Sequence, residues 1–332
     1  MLKVTPPSIK PKVFLKKLLS EYSYWLSFIL LLALAWYFNP NFFRWMNISN
    51  IFVQSAPTGI IALGMTMVIC AGLIDISVGA QVAIISGLSI LVLNASSSIW
   101  VTLLFCLGLG LFIGTFNGVL VAKGHMPAMI ATLAVQTACR SIINQIGQGG
   151  PFTVADKANY DVFRLVAAGS IRITDSFKIP YPMLMLIGFS LLFGLIMQRT
   201  KLGKHVYAVG SNETSARLAG VSVDKVKILV FSITGLLCGF SGWLYASRVM
   251  AVAAASAGSL FEMDAIAAVA IGGTAMSGGR GKIIGTFLGV LMFKIINNIL
   301  TMANVPTFLN GAISGGIIII AVLLQNMQGR RK

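Results

Sequence analysis

Charged residues are scarce in this 332-residue chain, and acidic residues are the scarcest of them. The chain has nine Asp and Glu against 25 Lys and Arg, together with two His and four Cys. Charged residues make up 10% of the sequence and hydrophobic residues 57%, and the mean hydropathy is +0.87. Soluble domains average about 25% charged residues. The composition therefore excludes an ordinary soluble domain and indicates a membrane protein. In such a protein the chain length bears on the number of membrane spans rather than on the number of domains.

Residues for metal, catalytic and nucleic-acid chemistry are missing as well. The four cysteines lie in apolar runs and match no zinc spacing, and neither histidine has a Cys or an acid at ligand spacing. No Ser/His/acid set appears in the apolar segments, so we predict no metal site and no catalytic residue. The cations lie at the chain ends and in short connectors, which argues against a nucleic-acid partner.

The sequence also lacks a nucleotide site and a row of acids within the bilayer. The string nearest to a phosphate-binding loop, over 278–283, has neither the G-x-x-x-x-G-K-[ST] spacing nor its hydroxyl. Only Asp75, Glu262 and Asp264 border apolar runs, whereas carriers driven by protons or sodium usually need buried carboxylates or paired charges. We therefore expect a pathway that binds no cofactor itself and is driven by another component.

The apolar segments predict an all-α polytopic membrane protein with about ten transmembrane helices, nine and eleven being the alternatives. Several segments are shorter than the roughly 20 residues that a span needs, so some helices are expected to be broken. The predicted segments are 22–38, 51–74, 76–93, 99–122, 127–146, 181–197, 226–247, 263–277, 283–301 and 308–325.

The distribution of the cations predicts which way these spans run. With a cytoplasmic N-terminus, 17 of the 25 Lys and Arg lie inside and six lie outside, while two lie within spans. This bias predicts that both termini are cytoplasmic. The chain then divides into a tail at 1–21, a transmembrane domain at 22–325 and a tail at 326–332, with a long outer loop at 147–180 and a cytoplasmic loop at 199–225.

Glycine spacing predicts how the spans pack. Rows of small residues at every fourth position allow helix backbones to approach closely in lipid. Such rows support a compact bundle but do not specify a function. They occur at Gly110, Gly114 and Gly118, at Gly235 and Gly239, at Gly285 and Gly289, and at Gly311 and Gly315.

Residues 199–227 form a polar island, with six Lys or Arg and two acids in an otherwise apolar chain. A compact polar segment between spans is a candidate docking surface for a soluble partner. An ordinary capped surface loop is the alternative.

Local capping signals predict a two-turn helix at 213–219 within the polar island. Asn212 is a candidate N-cap, and Glu213 and Arg217 suit the positive and negative ends of the helix. Gly220 is a natural C′ stop. Ser222 is a candidate cap for the helix that follows.

Four stretches resemble the ribose/galactose/xylose-type ABC transporter permeases. In the island these are T-K-L-G-K at 200–204, Y-A-V-G-S-N at 207–212 and A-R-L-A-G-V at 216–221. Elsewhere they are G-L-I-D-I-S-V-G at 72–79, P-A-M-I-A-T-L at 127–133, and E-M-D-A-I-A at 262–267 followed by I-G-G-T and S-G-G-R-G up to residue 281. The resemblance extends from about residue 47 nearly to the end of the chain, with the motifs in the expected order.

This resemblance implies the permease subunit of an importer in the bacterial inner membrane, where membrane lipid surrounds it. Such a permease moves a monosaccharide or related polyol by alternating access, and a separate ABC ATPase subunit hydrolyses the ATP. A periplasmic sugar-binding protein and a second permease copy or paralogue are the other implied partners, and residues 147–180 become a periplasmic loop. The island becomes the ATPase-coupling segment, with the carried-over positions Gly210, Asn212, Glu213, Ala216, Arg217 and Gly220. A stand-alone facilitator or channel for a small neutral solute is the alternative.

Polar residues in or beside the spans are candidates for the translocation pathway: Gln54, Asp75, Ser77, Gln81, Thr132, Gln136, Arg140 and Asp264. Structural roles compete with this interpretation. Asp75 is also a candidate N-cap for the third span, and Glu262 and Asp264 suit the N-terminus of the eighth. Arg140 could bond a sugar hydroxyl, but snorkelling toward the outer face or holding the bundle together is favoured.

Overall fold

The computed structural model describes residues 23–174 and 177–303, and beyond them residues 305–306, 309, 311–313, 315–316 and 319. The predicted tails at 1–21 and 326–332 lie outside the described residues. So does most of the predicted span at 308–325.

Helices dominate the described residues. The α-helices are α1 (Ser23–Phe38), α2 (Trp45–Cys70), α3 (Val78–Ser96), α4 (Ile99–Ala122), α5 (Ala128–Gly147), α6 (Lys157–Ala168), α7 (Tyr181–Arg199), α8 (Lys201–Ser211), α9 (Glu213–Leu218), α10 (Val223–Val249), α11 (Phe261–Ile271) and α12 (Ile283–Met302). A 3₁₀ turn at Pro40–Phe43 joins α1 to α2.

Six of these helices are long and apolar enough to cross a membrane: α2, α3, α4, α7, α10 and α12. The prediction of a helical, multi-pass membrane protein is confirmed, but the count of ten spans is not. The helix α5 has 20 residues, yet it is not among the six. Its polar side chains, including Gln136 and Arg140, lower its hydropathy.

The eighth predicted span, at 263–277, is wrong in its extent. The helix α11 has 11 residues, which is roughly 16 Å and about half of a bilayer core. It ends at Ile271 with Gly272 as its C-cap, and Gly273 follows with φ +81°, a conformation that favours glycine. The apolar run continues beyond this point as a loop, which hydropathy alone does not distinguish from a helix.

Two of the predicted glycine rows pack against each other. A Cβ at Gly114 of α4 would lie 2.8 Å from the Cα of Gly235 in α10, and one at Gly110 would lie 2.8 Å from the backbone nitrogen of Gly239. The α4 and α10 backbones are therefore in direct contact, as small-residue rows permit. The row at 285 and 289 makes the same kind of contact with α11.

Four short strands lie outside the helices. β1 (Pro151–Thr153) pairs antiparallel with β4 (Ala251–Ala253), and β2 (Ser170–Arg172) pairs with β3 (Lys178–Pro180). The pairing of β1 with β4 places the segments after α5 and after α10 at the same end of the bundle. Composition alone did not predict these strands, because each has only three residues.

The centre and the periphery of the bundle differ in exposure. The helix α2 is buried continuously from Ser55 to Cys70, and it packs against α7, α10, α11 and α12. By contrast, α4 and α7 present large exposed apolar side chains, among them Trp100, Phe112 and Leu191. The elements around α2 therefore form the core of the protomer.

Candidate functional sites

The polar island contains two helices, α8 and α9, where the sequence predicted one. Thr200 begins α8 by accepting a hydrogen bond from the Gly203 backbone N–H at 3.3 Å. Asn212 separates the two helices and caps α9, accepting from the Ser215 N–H at 2.8 Å. The predicted cap is confirmed, but the ordered part of the island begins earlier than the capping signals indicated.

The end of α9 is a tight stop built on Gly220. This residue has φ +81°, and its N–H donates to the Arg217 carbonyl at 3.1 Å. The next N–H, of Val221, donates to the Ala216 carbonyl at 3.0 Å. These two bonds form a Schellman motif, so Gly220 is the C′ residue that the sequence predicted.

Ion pairs tie α9 to the start of α10. Glu213 accepts from Lys227 at 2.9 Å and from Arg217 at 3.5 Å, and Arg217 also reaches Asp224 at 3.2 Å. The hydrogen bond from Lys227, followed by the Arg217 contacts, holds the pKa of Glu213 below its usual value. The predicted cap at Ser222 is only partly right. Ser222 occupies the N-cap position of α10, but its side chain makes no capping bond.

The two faces of α9 differ sharply in exposure. Ala216 is buried against the bundle, whereas Leu218 is 85% exposed, the largest value among the exposed apolar side chains of the described residues. The sequence analysis missed Leu218. Its signal was a leucine in the last turn of a capped polar helix, immediately before the stop.

Gly210 lies where α8 meets two other motif segments. A Cβ at Gly210 would collide with the Cys70 carbonyl oxygen at the end of α2. The same carbonyl accepts a hydrogen bond from the Gly279 N–H at 2.9 Å. Tyr207 of α8 also donates to the Gly281 carbonyl at 2.8 Å. The island therefore packs directly on the α2 terminus and on the loop that precedes α12.

A second candidate site lies at the break between α2 and α3, which covers residues 71–77. The Ser77 hydroxyl donates to Asp75 Oδ1 at 2.6 Å, and the Ser77 N–H donates to the same oxygen at 2.9 Å. The side-chain amides of Gln81 and Asn117 approach the Ser77 hydroxyl oxygen at 2.8 and 2.9 Å. All four side chains are fully buried. We call them the Ser77 cluster.

Two findings about the Ser77 cluster differ from the sequence analysis. Asp75 is not the N-cap of α3, because Ser77 holds that position and Asp75 instead closes a turn onto Ser77. Asn117 was missed, although an amide within the apolar run of α4 was a usable signal. Its 40-residue separation from Ser77 concealed the contact.

Two of the three predicted residues on α5 contact neighbouring segments of the chain. Thr132 accepts from the Ile76 N–H in the break at 3.2 Å. Arg140 donates to the carbonyls of Ala254 at 3.4 Å and Ala257 at 2.6 Å. The helix α5 therefore holds two irregular segments, the break at 71–77 and the turn that precedes α11.

The acids of α11 lie in two different environments. Asp264 forms an ion pair with Lys294 of α12 at 3.0 Å. Glu262 is buried with one carboxylate oxygen that has no hydrogen-bond partner among the described residues. A Cβ at Gly79 would meet this carboxylate and would lie 2.6 Å from the Gly258 carbonyl oxygen. The N-termini of α3 and α11 therefore lie side by side.

The eight predicted pathway residues do not form one site. Asp75, Ser77 and Gln81 come together, and Thr132 joins them through Ile76. Gln54 is exposed and lies 16 residues before the end of α2, roughly 24 Å along the helix from the break. Asp264 is bound to α12 instead.

Comparisons with known proteins give a consistent result. The profile of a family described as branched-chain amino acid transport system / permease component matches residues 47–322. The ribose import permease protein RbsC of Haemophilus influenzae is 34% identical over 317 residues, covering 95% of this chain and 96% of that protein. RbsC of Bacillus subtilis is 36% identical over 299 residues, covering 90% of each chain. The xylose transport system permease protein XylH of H. influenzae is 30% identical over 343 residues, covering 86% of this chain and 90% of that protein. No solved structure matches significantly.

The matches confirm the resemblance to ribose- and xylose-type ABC permeases. They extend over most of this chain and over most of each relative. They identify a transport component rather than an enzyme, in agreement with the multi-pass architecture. The chain therefore belongs to the family of membrane permeases described as branched-chain amino acid transport system / permease component.

Proposed function

We propose that the chain is the membrane subunit of an ABC importer that moves a monosaccharide or related polyol inward. The family description names branched-chain amino acids, whereas the relatives aligned over most of their length are named for ribose and xylose. Similarity along the whole chain supports the sugar class over the family-wide description.

The proposed topology has ten crossings in the bacterial inner membrane, with both termini cytoplasmic. The 17-to-6 distribution of cations supports the island end as the cytoplasmic one. In this topology the break at 71–77 lies between the second and third crossings, the turn at 254–260 precedes the eighth, and the apolar sequence at 308–325 is proposed as the tenth. On this topology the β1–β4 pair and α6 lie on the periplasmic side.

The observation that carries the proposed function is the construction of α9. This six-residue helix is capped at one end, stopped at the other and tied by ion pairs to α10. Its exposed Leu218 and Arg217 suit insertion into a groove of an ATPase subunit. We assign the coupling surface to Asn212, Glu213, Arg217, Leu218 and Gly220, while Gly210 and Ala216 support it from the buried side.

The pathway is proposed along α5, between this chain and a second permease copy or paralogue. Thr137, Ser141 and Asn144 form an exposed polar stripe on this helix. Polar side chains facing lipid are costly, and sugars are held by hydroxyl-matching groups. Gln136 and Arg140 lie beside this stripe, partly exposed. The other predicted pathway residues are proposed to line the pathway when the break at 71–77 opens.

The proposed partners follow from this arrangement. An ABC ATPase binds the island and supplies the energy from ATP, so that the chain itself binds no cofactor. A periplasmic sugar-binding protein delivers the substrate to the opposite end. Lipid surrounds the apolar faces of α4 and α7.

The test reverses one charge on the coupling surface. Arg217→Glu places a third acid beside Glu213 and Asp224, so we expect ATPase stimulation and sugar uptake to be lost in the reconstituted importer. Lys123→Glu makes the same reversal at an exposed cation in another connector at the island end and should leave both activities unchanged. Unchanged coupling in Arg217→Glu would contradict the assignment.

The alternative, a stand-alone facilitator or channel, makes a different prediction. The purified chain alone in liposomes would then give sugar flux without ATP. Co-purification from native membrane followed by mass spectrometry separates the two functions, because only the importer brings an ATPase with it.

A further inference from the structure

The hydrogen bonds of the Ser77 cluster leave several of its acceptor oxygens without a donor. Ser77 has one hydroxyl proton, and its 2.6 Å contact with Asp75 Oδ1 uses it. Because that proton is already committed, the amides of Gln81 and Asn117 must both donate N–H to the Ser77 oxygen. Their carbonyl oxygens are therefore turned away from the serine.

Three oxygens in this cluster remain without a partner among the described residues. They are Asp75 Oδ2, Gln81 Oε1 and Asn117 Oδ1. Each belongs to a side chain with 0% exposure, so bulk water does not satisfy them. A buried polar atom without a partner costs about 1–3 kcal/mol. Three such atoms on side chains that share one hydroxyl point to a ligand that contributes positive charge or donors.

Asp75 also differs from the paired acids of the chain. Asp264 pairs with Lys294 and Glu213 pairs with Lys227, whereas the buried Glu262, like Asp75, forms no ion pair within the described residues. In the described part of the chain, Asp75 forms no ion pair with Lys or Arg. Acids at membrane depth usually pair or mark an ion pathway.

The burial and chemistry of the site favour a small cation over a sugar ring, which does not reach four fully buried side chains without opening the bundle. Hard cations prefer carboxylate and carbonyl oxygens. One carboxylate balances one positive charge, which favours a monovalent over a divalent ion. Discontinuous helices in membrane proteins bind sodium with unwound backbone of this kind.

We propose that Asp75 Oδ2, Gln81 Oε1 and Asn117 Oδ1 bind a monovalent cation of the sodium class at the break between α2 and α3. The bound ion joins the break to α3 and α4, and the Ile76–Thr132 hydrogen bond extends this link to α5. The ion stabilises the closed arrangement of the break and does not drive transport. The proposal is independent of the identity of the transported solute.

The experiment measures binding to the purified full-length chain, so it requires neither ATPase nor sugar. Thermal unfolding is followed in sodium chloride, potassium chloride and choline chloride at equal ionic strength, and ²²Na⁺ binding is measured in parallel. Sodium should raise the unfolding temperature by several degrees in a saturable way, because a ligand bound only to the folded state stabilises it. About one sodium ion should bind per chain.

Two variants and a control localise the site. Asp75→Asn keeps the turn onto Ser77 but removes the charge, and it should abolish both the sodium-dependent shift and ²²Na⁺ binding. Gln81→Met removes one ligand oxygen at similar volume and should weaken sodium binding about tenfold. Asp161→Asn makes the same change as the first variant at an exposed position in α6 and should behave like the wild type.

Three outcomes would overturn the proposal. One is an equal unfolding temperature in all three salts. Another is a sodium shift retained in Asp75→Asn. The third is an unfolding temperature that depends on pH through Asp75 but not on sodium, which would identify a proton as the compensating charge.

Discussion

The polar island and the Ser77 cluster differ in how their polar groups are satisfied. In the island, caps, the Gly220 stop and three ion pairs provide partners within the segment itself. In the Ser77 cluster, four buried side chains depend on one hydroxyl and leave three oxygens without partners among the described residues. The island is rigid and exposed, whereas the cluster is buried and incomplete.

This difference assigns different tasks to the two regions. An exposed helix whose polar groups already have hydrogen-bond and ion-pair partners is preorganised to bind another protein without rearranging. A buried group with unsatisfied oxygens is poised to bind a ligand or to change conformation. The contact of Gly210 with Cys70 joins the island to the end of α2, next to the break. A displacement of the island would therefore be transmitted to the break through this close backbone contact.

The largest expected effect is the loss of the Ser77 hydroxyl. Ser77→Ala leaves the Gln81 and Asn117 amides without their shared partner, while Asp75 Oδ1 keeps only the backbone N–H of residue 77. At about 1–3 kcal/mol for each of the two stranded amides, we expect roughly 2 kcal/mol or more of destabilisation. The measurement is thermal unfolding in detergent, and Ser215→Ala on the exposed face of α9 should change stability by less than about 0.5 kcal/mol. If Ser77→Ala and Ser215→Ala were equally stable, the buried polar groups of the Ser77 cluster would depend on their hydroxyl no more than the exposed groups of the island do.

The next largest effect is expected where the two regions touch. Gly210→Ala places a Cβ against the Cys70 carbonyl oxygen, which should cost about 1–3 kcal/mol and weaken coupling. Gly188→Ala, in α7, meets no atom within 4 Å and should stabilise the helix slightly. Thermal unfolding of the pair should give shifts of opposite sign. Shifts of the same sign in the two unfolding temperatures would show that the island does not pack tightly against α2.

A smaller effect is expected from the cap of α9. Asn212→Ala removes the bond to the Ser215 N–H and should cost α9 about 1 kcal/mol. Because the helix is short and exposed, the loss should appear as faster amide exchange over 213–218 rather than as a lower global unfolding temperature. Thr214→Ala, in the same helix but not at the cap, serves as the matched control. Unaltered exchange in Asn212→Ala would mean that the ion pairs alone order α9.

The smallest effect is the pH dependence of the island. The pKa of Glu213 is lowered from about 4.5 by the Lys227 hydrogen bond. The stabilisation is therefore fully present above pH 4.5 and is lost as the pH falls through the lowered value. The protection of the amides over 213–218, relative to their intrinsic exchange rate at each pH, should fall in that acidic window, and Glu213→Gln should remove the dependence. Persistence of the dependence in Glu213→Gln would contradict its assignment to Glu213.

Local features of both regions were predictable from the sequence. Asn212 and Gly220 are recognisable because a cap and a stop depend on neighbouring residues. The rows at Gly110, Gly114 and Gly118 were predictable for the same reason. Their partners in α10 were not, since helix pairing depends on the whole bundle.

The composition of the Ser77 cluster was only partly predictable. Asp75, Ser77 and Gln81 lie within seven residues, but Asn117 comes from another helix. Periodicity did not establish which face of α5 is buried, because both faces carry polar residues: Thr132 and Arg140 inward, Thr137 and Ser141 outward. The early end of α11 could not be predicted from hydropathy, because the loop after it is equally apolar.

The central claim is that the exposed end of α9 binds an ATPase subunit, and Leu218 tests it most directly. The ATPase that co-purifies with the wild-type chain is measured for binding to wild type and to Leu218→Ala, with unfolding temperatures recorded for both. The account predicts at least tenfold weaker binding, because a buried hydrophobic anchor is lost from the contact, at an unchanged unfolding temperature. Equal ATPase binding by both chains, or no co-purifying ATPase, would contradict it.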